Sequence, residues 1–205
     1  MKSVRPWDDF FKKNIIKIFS EHKTVIDIGG GLRIDELKNN RKNVNDTWLE
    51  PYRSGVEYKI LDKVVDYNPD IVGDIHALPL ADNSAEALLC IAVLEHVEDP
   101  LRAMREMHRV LKPGGACFIY VPFLFYYHPM KGYYGDFQRF TFDGCVELVK
   151  DFKNVEIQNV RGALATTMNL LPFFSKKTGF FDYVDWLFNK TNSKQTSGFY
   201  IYCEK

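Results

Sequence analysis

Three acids and a run of glycines are the first residues whose types and spacing could do chemistry. Thr24-Val25-Ile26-Asp27-Ile28 is a short apolar stretch around one acid, and Gly29-Gly30-Gly31 follows at once. Such a stretch reads as a buried strand running into a loop whose backbone must approach something closely. Glycine permits φ > 0 and lacks the side chain that would hold a ligand off. Ligands of open α/β sheets bind at the carboxyl ends of strands, so this loop is a cradle for a nucleotide-type ligand. The plainer reading is a glycine-rich turn with no ligand. Asp62 and Asp74 end two further strand-like stretches, Val56–Asp62 and Asp70–Asp74.

A second set lies between Pro122 and Thr141. There His128, Asp136 and Arg139 stand among eight aromatic residues. A histidine changes charge near neutral pH and suits proton transfer. An arginine grips a carboxylate or a phosphate. The plainer reading is an Asp136–Arg139 pair that pins the loop, with His128 on the surface. His96 is a weaker candidate, and His22, His76 and His108 read as surface or loop residues.

Positioning these groups requires a sheet. An amphipathic helix is predicted over Asp8–Glu21, with Phe10, Phe11, Ile15, Ile16, Ile18 and Phe19 as its apolar positions. Strands are predicted at 24–28, 56–62, 70–74, 85–94, 116–121, 155–160 and 198–203. Residues 32–55 read as a short helix and a long polar surface loop. Asp99-Pro100 opens a helix as N-cap and first residue, which ends before Pro113-Gly114-Gly115. Thr141 is the predicted N-cap of a helix reaching about Lys150. Alternating strands and helices give a doubly wound α/β sheet in a single domain, 1–205.

Composition excludes several classes. The chain has 205 residues, 46% hydrophobic, which is enough for one full core. Its formal net charge is zero, so no global field attracts nucleic acid. No apolar run reaches the roughly 18 residues of a membrane span. The charged N-terminal stretch has no apolar segment of the secretory kind. The cysteines (Cys90, Cys117, Cys145, Cys203) form no Cys-x-x-Cys, which fits reduced core residues in a cytoplasmic protein. Cysteine and histidine show no metal-ligand spacing, so no metal is expected.

Four pieces in order carry a resemblance. They are Val25-Ile-Asp-Ile-Gly-Gly-Gly31, the stretch Gly73-Asp74 to Leu88, Val93-Leu-Glu-His-Val-Glu-Asp-Pro100, and Arg109-Val-Leu-Lys-Pro-Gly-Gly115. The chain resembles the class I S-adenosylmethionine-dependent methyltransferases of the type 11 group. Residues 20–121 match closely and 154–205 in outline. The resemblance implies a Rossmann-like sheet of seven strands in the order 3-2-1-4-5-7-6, strand seven antiparallel, with helices on both faces. It implies S-adenosylmethionine as cofactor, approached by the backbone of Gly29, Gly30 and Gly31, with Asp27 near its ammonium. Asp62 would take the ribose hydroxyls, Asp74 the adenine amino group, and the Ile75 N–H a ring nitrogen. Leu94 and Glu95 would line the methyl-donor side. Arg33 stands where the family has a third glycine, and would lie near the cofactor carboxylate.

The 122–141 segment looks like that of methyltransferases acting on cell-surface glycans and their lipid-linked precursors. It implies O-methylation of a sugar, glycolipid or other small-molecule acceptor, with His128 as base and Asp136 and Arg139 beside it. A non-catalytic S-adenosylmethionine-binding subunit is the main alternative. A nucleotide-dependent oxidoreductase is disfavoured by Ile34, which stands where the dinucleotide fingerprint needs a small residue. Residues 163–197 exceed the tight connection that the simplest such fold needs. They read as two short amphipathic helices around the basic pair Lys176-Lys177, suited to a membrane surface at the inner face, to capping the acceptor, or to a homodimer contact.

Overall fold

The computed structural model describes residues 3–32, 46–171, 173–174 and 178–205. The expectations for Arg33, for the short helix after it and for Lys176-Lys177 lie outside those residues. Helix α1 spans Pro6–Glu21, with proline in its first turn and Asp8 and Asp9 where the helix dipole favours acids. Strand β1 (Thr24–Ile28) follows. Helix α2 (Glu50–Arg53) precedes β2 (Glu57–Asp62) and the two-residue β3 (Ile71–Val72). Then come β4 (Ala85–Ile91), α3 (Pro100–Val110), β5 (Leu111–Pro122) and α4 (Phe142–Leu148). The chain ends with β6 (Lys153–Val160), α5 (Ala163–Asn169), α6 (Thr178–Leu187) and β7 (Gly198–Glu204).

The seven strands form one sheet in the order β3-β2-β1-β4-β5-β7-β6. Strands β1 to β5 pair in parallel, and β7 runs antiparallel to both β5 and β6. The order and the antiparallel strand are those the resemblance implied. The period-two alternation of each strand feeds two cores. Ile26, Ile28, Leu88, Cys90, Cys117 and Ile119 face α3 and α4. Val25, Ala87, Leu89, Ala116 and Phe118 face α1, which contributes Ile15, Ile18 and Phe19. Side chains covered on both faces explain why these strands read as nearly unbroken apolar runs. Full burial of each large one contributes roughly 1.5–3 kcal/mol.

Two N-caps form as predicted. Asp99 accepts from the Arg102 N–H at 2.9 Å, and Thr141 from the Gly144 N–H at 3.1 Å. Other elements differ. Leu49, in the predicted surface loop, is fully buried, and Trp48 beside it packs edge-on to Phe11 at 6.1 Å. The third strand stops before Asp74, because Asp74 Oδ1 accepts from the His76 N–H and turns the chain. The fourth ends at Ile91, where Ala92 takes φ 57° and a 3₁₀ turn, Leu94–His96, follows. The fifth begins at Leu111, paired with Ala85, because the Lys205 end zips Gly114 and Gly115 into the sheet.

Candidate active site

Chain direction reverses between β1 and β4. The chain runs outward through β2 and β3, then returns to pair β4 against β1. A crevice opens outside the carboxyl ends of strands at such a point. The glycine loop sits there because only glycine fits. Gly29 has φ +77°, and a Cβ on it would meet Val93 Cγ2 at 2.6 Å. A Cβ on Gly31 would meet the Ile91 carbonyl oxygen at 2.4 Å. Asp27 holds the loop from beneath. Its carboxylate accepts from the N–H groups of Gly31 and Leu32 and, at 2.5 Å, from the Tyr58 hydroxyl. It is fully buried. Its charge therefore lies under the cradle, and its oxygens face the loop and Tyr58.

Burial pushes the Asp27 carboxyl up to about 6, against the lowering effect of its three donors. The folded state thus binds a proton near pH 6 that an unfolded Asp releases down to about 3.9. Stability from this group is fully present below the unfolded value and lost as pH rises through 6. Between pH 7.5 and pH 5 the ligand-free chain is expected to gain about 1 kcal/mol from it. Urea unfolding at both pH values, in the wild type and in Asp27→Asn, measures the difference. Identical pH dependence in the two proteins would show that Asp27 titrates normally.

Asp62 closes β2 beside the loop and is half-buried, with Oδ1 accepting from the Val64 N–H at 2.8 Å. A carboxylate has lone pairs enough to accept hydroxyl donors as well. Asp74 lies further along the same edge and is exposed, carrying His76 Nδ1 at 2.7 Å. The Ile75 side chain is buried in the core, which fixes its backbone in the Asp74–Ala77 turn. Leu94 differs from expectation. Its side chain is fully buried in the core.

The 123–140 segment docks back onto the turn after β4. The N–H groups of Phe137 and Gln138 both donate to the Glu95 carbonyl, at 2.7 and 3.2 Å. Its tip reaches the turn after β2, where Tyr133 stacks on Tyr67 at 5.6 Å and donates to Asp66. Because β5 and β2 flank β4 and β1, the segment passes over the ends of those two strands.

Asp136 and Arg139 take the plainer of their two readings. The Asp136 side chain has no exposed surface and accepts from the His128 N–H and both Arg139 Nη atoms. Arg139 also donates to the carbonyls of Phe125, Tyr126 and Gln138. All five guanidinium N–H groups are thereby engaged within the segment, leaving none for an acidic acceptor. The expectation that these two residues are catalytic gives way to loop-pinning. Arg139→Ala would leave a buried carboxylate unpaired, at a cost of about 3 kcal/mol. Melting is expected to fall by roughly 6–12 °C in calorimetry, and Arg139→Lys should also lower it. An unchanged melting temperature would remove the pair from its holding role.

The docked segment brings His128 beside Glu95 and His96. Glu95 Oε1 lies 3.8 Å from His128 Nε2 and 3.9 Å from His96 Nε2. Glu95 is 1% exposed, and burial pushes its carboxyl up to about 7. Burial also lowers the pKa of His96. Sequence spacing could not join these three, and it missed Tyr58 and Val93, whose roles exist only across strands. The adjacent Glu95-His96 pair, followed by an aromatic stretch that carries His128, was the available signal.

The 163–197 stretch contains the two predicted helices. Asp185 on α6 accepts from the N–H groups of Leu164 and Ala165 at the start of α5, and Asp182 pairs with Arg5 at 3.1 Å. Acids therefore occupy the inner face of α6. Phe180, Tyr183, Leu187 and Phe188 are exposed. The Tyr126 hydroxyl donates to the Asn169 carbonyl, tying α5 to the aromatic segment.

Residues 26–119 match a family described as a methyltransferase domain. A tRNA U34 carboxymethyltransferase of Nautilia profundicola is 30% identical over 128 residues, covering 53% of this chain and 38% of that protein. The ubiquinone/menaquinone biosynthesis C-methyltransferase UbiE of Klebsiella pneumoniae is 31% identical over 103 residues, covering 45% of this chain and 40% of that protein. The chain thus spans well under half the length of these curated relatives. The crystal structure of a SAM-dependent methyltransferase from Archaeoglobus fulgidus superposes with a TM-score of 0.61, at 14% identity, over 96% of this chain and 94% of that one. The chain has the class I methyltransferase fold, and its residues 26–119 match the methyltransferase-domain family.

Proposed function

We propose that the chain transfers the methyl group of S-adenosylmethionine to an oxygen of a sugar- or glycolipid-type acceptor. The observation that carries the acceptor side is the convergence of Glu95 Oε1 with the Nε2 atoms of His96 and His128 at the cradle's edge. Such electron-rich atoms suit an acceptor that must give up a proton from oxygen. Bound S-adenosylmethionine supplies an electrophilic methyl on a sulfonium. The glycine loop admits its amino-acid part, Asp62 receives the ribose hydroxyls, and the Asp74–Ile75 turn meets the adenine. The aromatic segment excludes water and orients the acceptor, and positioning of this kind supplies much of a bimolecular transfer's acceleration.

Two of the relatives are named for a tRNA and a quinone. Residues 122–141 lie beyond the matched stretch 26–119, so the acceptor side does not follow from that match. Labelled S-adenosylmethionine with a panel of sugars, lipid-linked sugars, tRNA and quinone precursors tests the reading. Label in the sugar fractions supports it. Label in tRNA or quinone would replace the acceptor, and binding without transfer to any would leave a non-catalytic subunit. Asp62→Ala is expected to weaken cofactor binding by roughly 1.5–3 kcal/mol in calorimetry. Unchanged affinity would move the ribose contact to Asp66, since Glu57 lies at the opposite end of β2.

A lipid-linked acceptor is favoured by the exposed aromatics of 163–197. Phe173 is 89% exposed and Phe188 67%. No helix among the described residues is long and apolar enough to cross a membrane, so the contact proposed is peripheral. Flotation with anionic liposomes is expected to carry the protein upward. A protein that ignores liposomes but sediments as a dimer assigns these aromatics to a second copy instead.

A further inference from the structure

Glu95, His96 and His128 have a geometry that a shared proton does not explain. His96 Nδ1 lies 2.6 Å from the Gly135 carbonyl oxygen, and His128 Nδ1 lies 2.7 Å from the Tyr126 carbonyl oxygen. A carbonyl oxygen only accepts, so in both rings Nδ1 carries the hydrogen. In the neutral rings both Nε2 atoms then present lone pairs. Both lie close to Glu95 Oε1, and one ligand atom from each of the three residues falls within 4.8 Å of the others. The rings meet edge-on, with centroids 5.0 Å apart. These separations are too long for hydrogen bonds. They leave three electron-rich atoms around one point. Glu95 Oε2, in a residue 1% exposed, has no hydrogen-bond partner among the described residues.

We propose that Glu95, His96 and His128 bind a divalent transition-metal ion, and that an acceptor oxygen completes its coordination. Two imidazoles and one carboxylate are a recognised donor set for Zn²⁺, Fe²⁺, Co²⁺ and Ni²⁺. Ligating histidines characteristically donate their other ring N–H to a carbonyl or carboxylate, which fixes the tautomer, and both rings here do so. Atoms bound at about 2.0–2.2 Å from one ion stand roughly 3–3.5 Å apart. The 3.8 and 3.9 Å gaps stand within about 1 Å of that range, and all three atoms lie within 4.8 Å of one another. Three protein ligands leave at least one position open. His128 is the 35% exposed member of the set, so the open side faces the mouth of the segment rather than the core.

The inference rests on the methyltransferase reading only for its purpose. A metal there would hold the acceptor hydroxyl and make its proton easier to lose to water. The site itself is tested without turnover. Protein stripped with a chelator and dialysed is titrated with Co²⁺ and Zn²⁺, followed by calorimetry and by the visible spectrum of Co²⁺. One ion per chain is expected, with S-adenosylmethionine affinity unchanged. Glu95→Gln, His96→Gln and His128→Ala should each weaken Co²⁺ binding at least tenfold. His128→Ala removes a partly exposed side chain and keeps the fold testable if a core variant does not fold. Stoichiometric binding that survives all three substitutions, or none in the wild type, overturns the proposal. The outcomes separate the two readings. No ion bound, with methyl transfer retained, defeats the metal site and leaves the function. One bound ion without transfer to any acceptor does the reverse.

Discussion

Gly29→Val is expected to bring cofactor binding below measurement, a loss of more than about 10³-fold. Two costs combine. Residue 29 has φ +77°, where a β-branched side chain is strained by about 1–3 kcal/mol. Its Cβ would stand 2.6 Å from Val93 Cγ2, so either the loop or the turn after β4 must move. Overpacking of this kind costs about 1–3 kcal/mol more. Relief by moving the loop shifts the Gly31 and Leu32 N–H groups off Asp27 and strands a buried carboxylate. Calorimetric titration with S-adenosylmethionine and its demethylated product reads the effect. Affinity within tenfold of wild type would mean that the cradle lies elsewhere.

Turnover in His128→Ala is expected to fall about 10²–10⁴-fold, the range for groups that handle an acceptor's proton in the transition state. Cofactor affinity should hold, because the cradle belongs to β1, β2 and β4 while His128 belongs to the segment after β5. The main-chain N–H of residue 128 still donates to Asp136, so the segment keeps its pin. Loss of cofactor affinity in parallel with turnover would instead make His128 a support of the cradle. Full turnover would leave acceptor activation to other groups.

Parts of the molecule were legible because the cause is local. The apolar run ending in Gly29-Gly30-Gly31, and the caps at Asp99 and Thr141, depend on residues within one turn. The two readings of Arg139 could not be separated in sequence, since the answer is a count of donors satisfied in space. The proximity of Glu95 to His128, 33 positions apart, needs the aromatic segment to fold back onto one carbonyl. Asp182 and Asp185 look like the polar face of α6, yet they are buried, because Arg5 and the start of α5 meet them there. Polar residues that find fixed partners can face inward, and the aromatics are then left outside.

Under the proposed function, the segment that crosses from β5 to the turn after β2 would also give the reaction a sequence in time. On that reading, a ligand lying along the ends of β1, β2 and β4 would arrive while that strap is off Tyr67, and the acceptor, held by the strap, would come second. The demethylated cofactor would then leave last. The latch is light: Tyr133 and Met130 are about 40% exposed, and their hydrogen bonds to Asp66 and Tyr67 are surface bonds, each contributing roughly 0.5–1.5 kcal/mol. Opening at that cost would populate the unlatched form at the level of per cents, so under the proposed function the strap would set the order of binding while remaining easily opened.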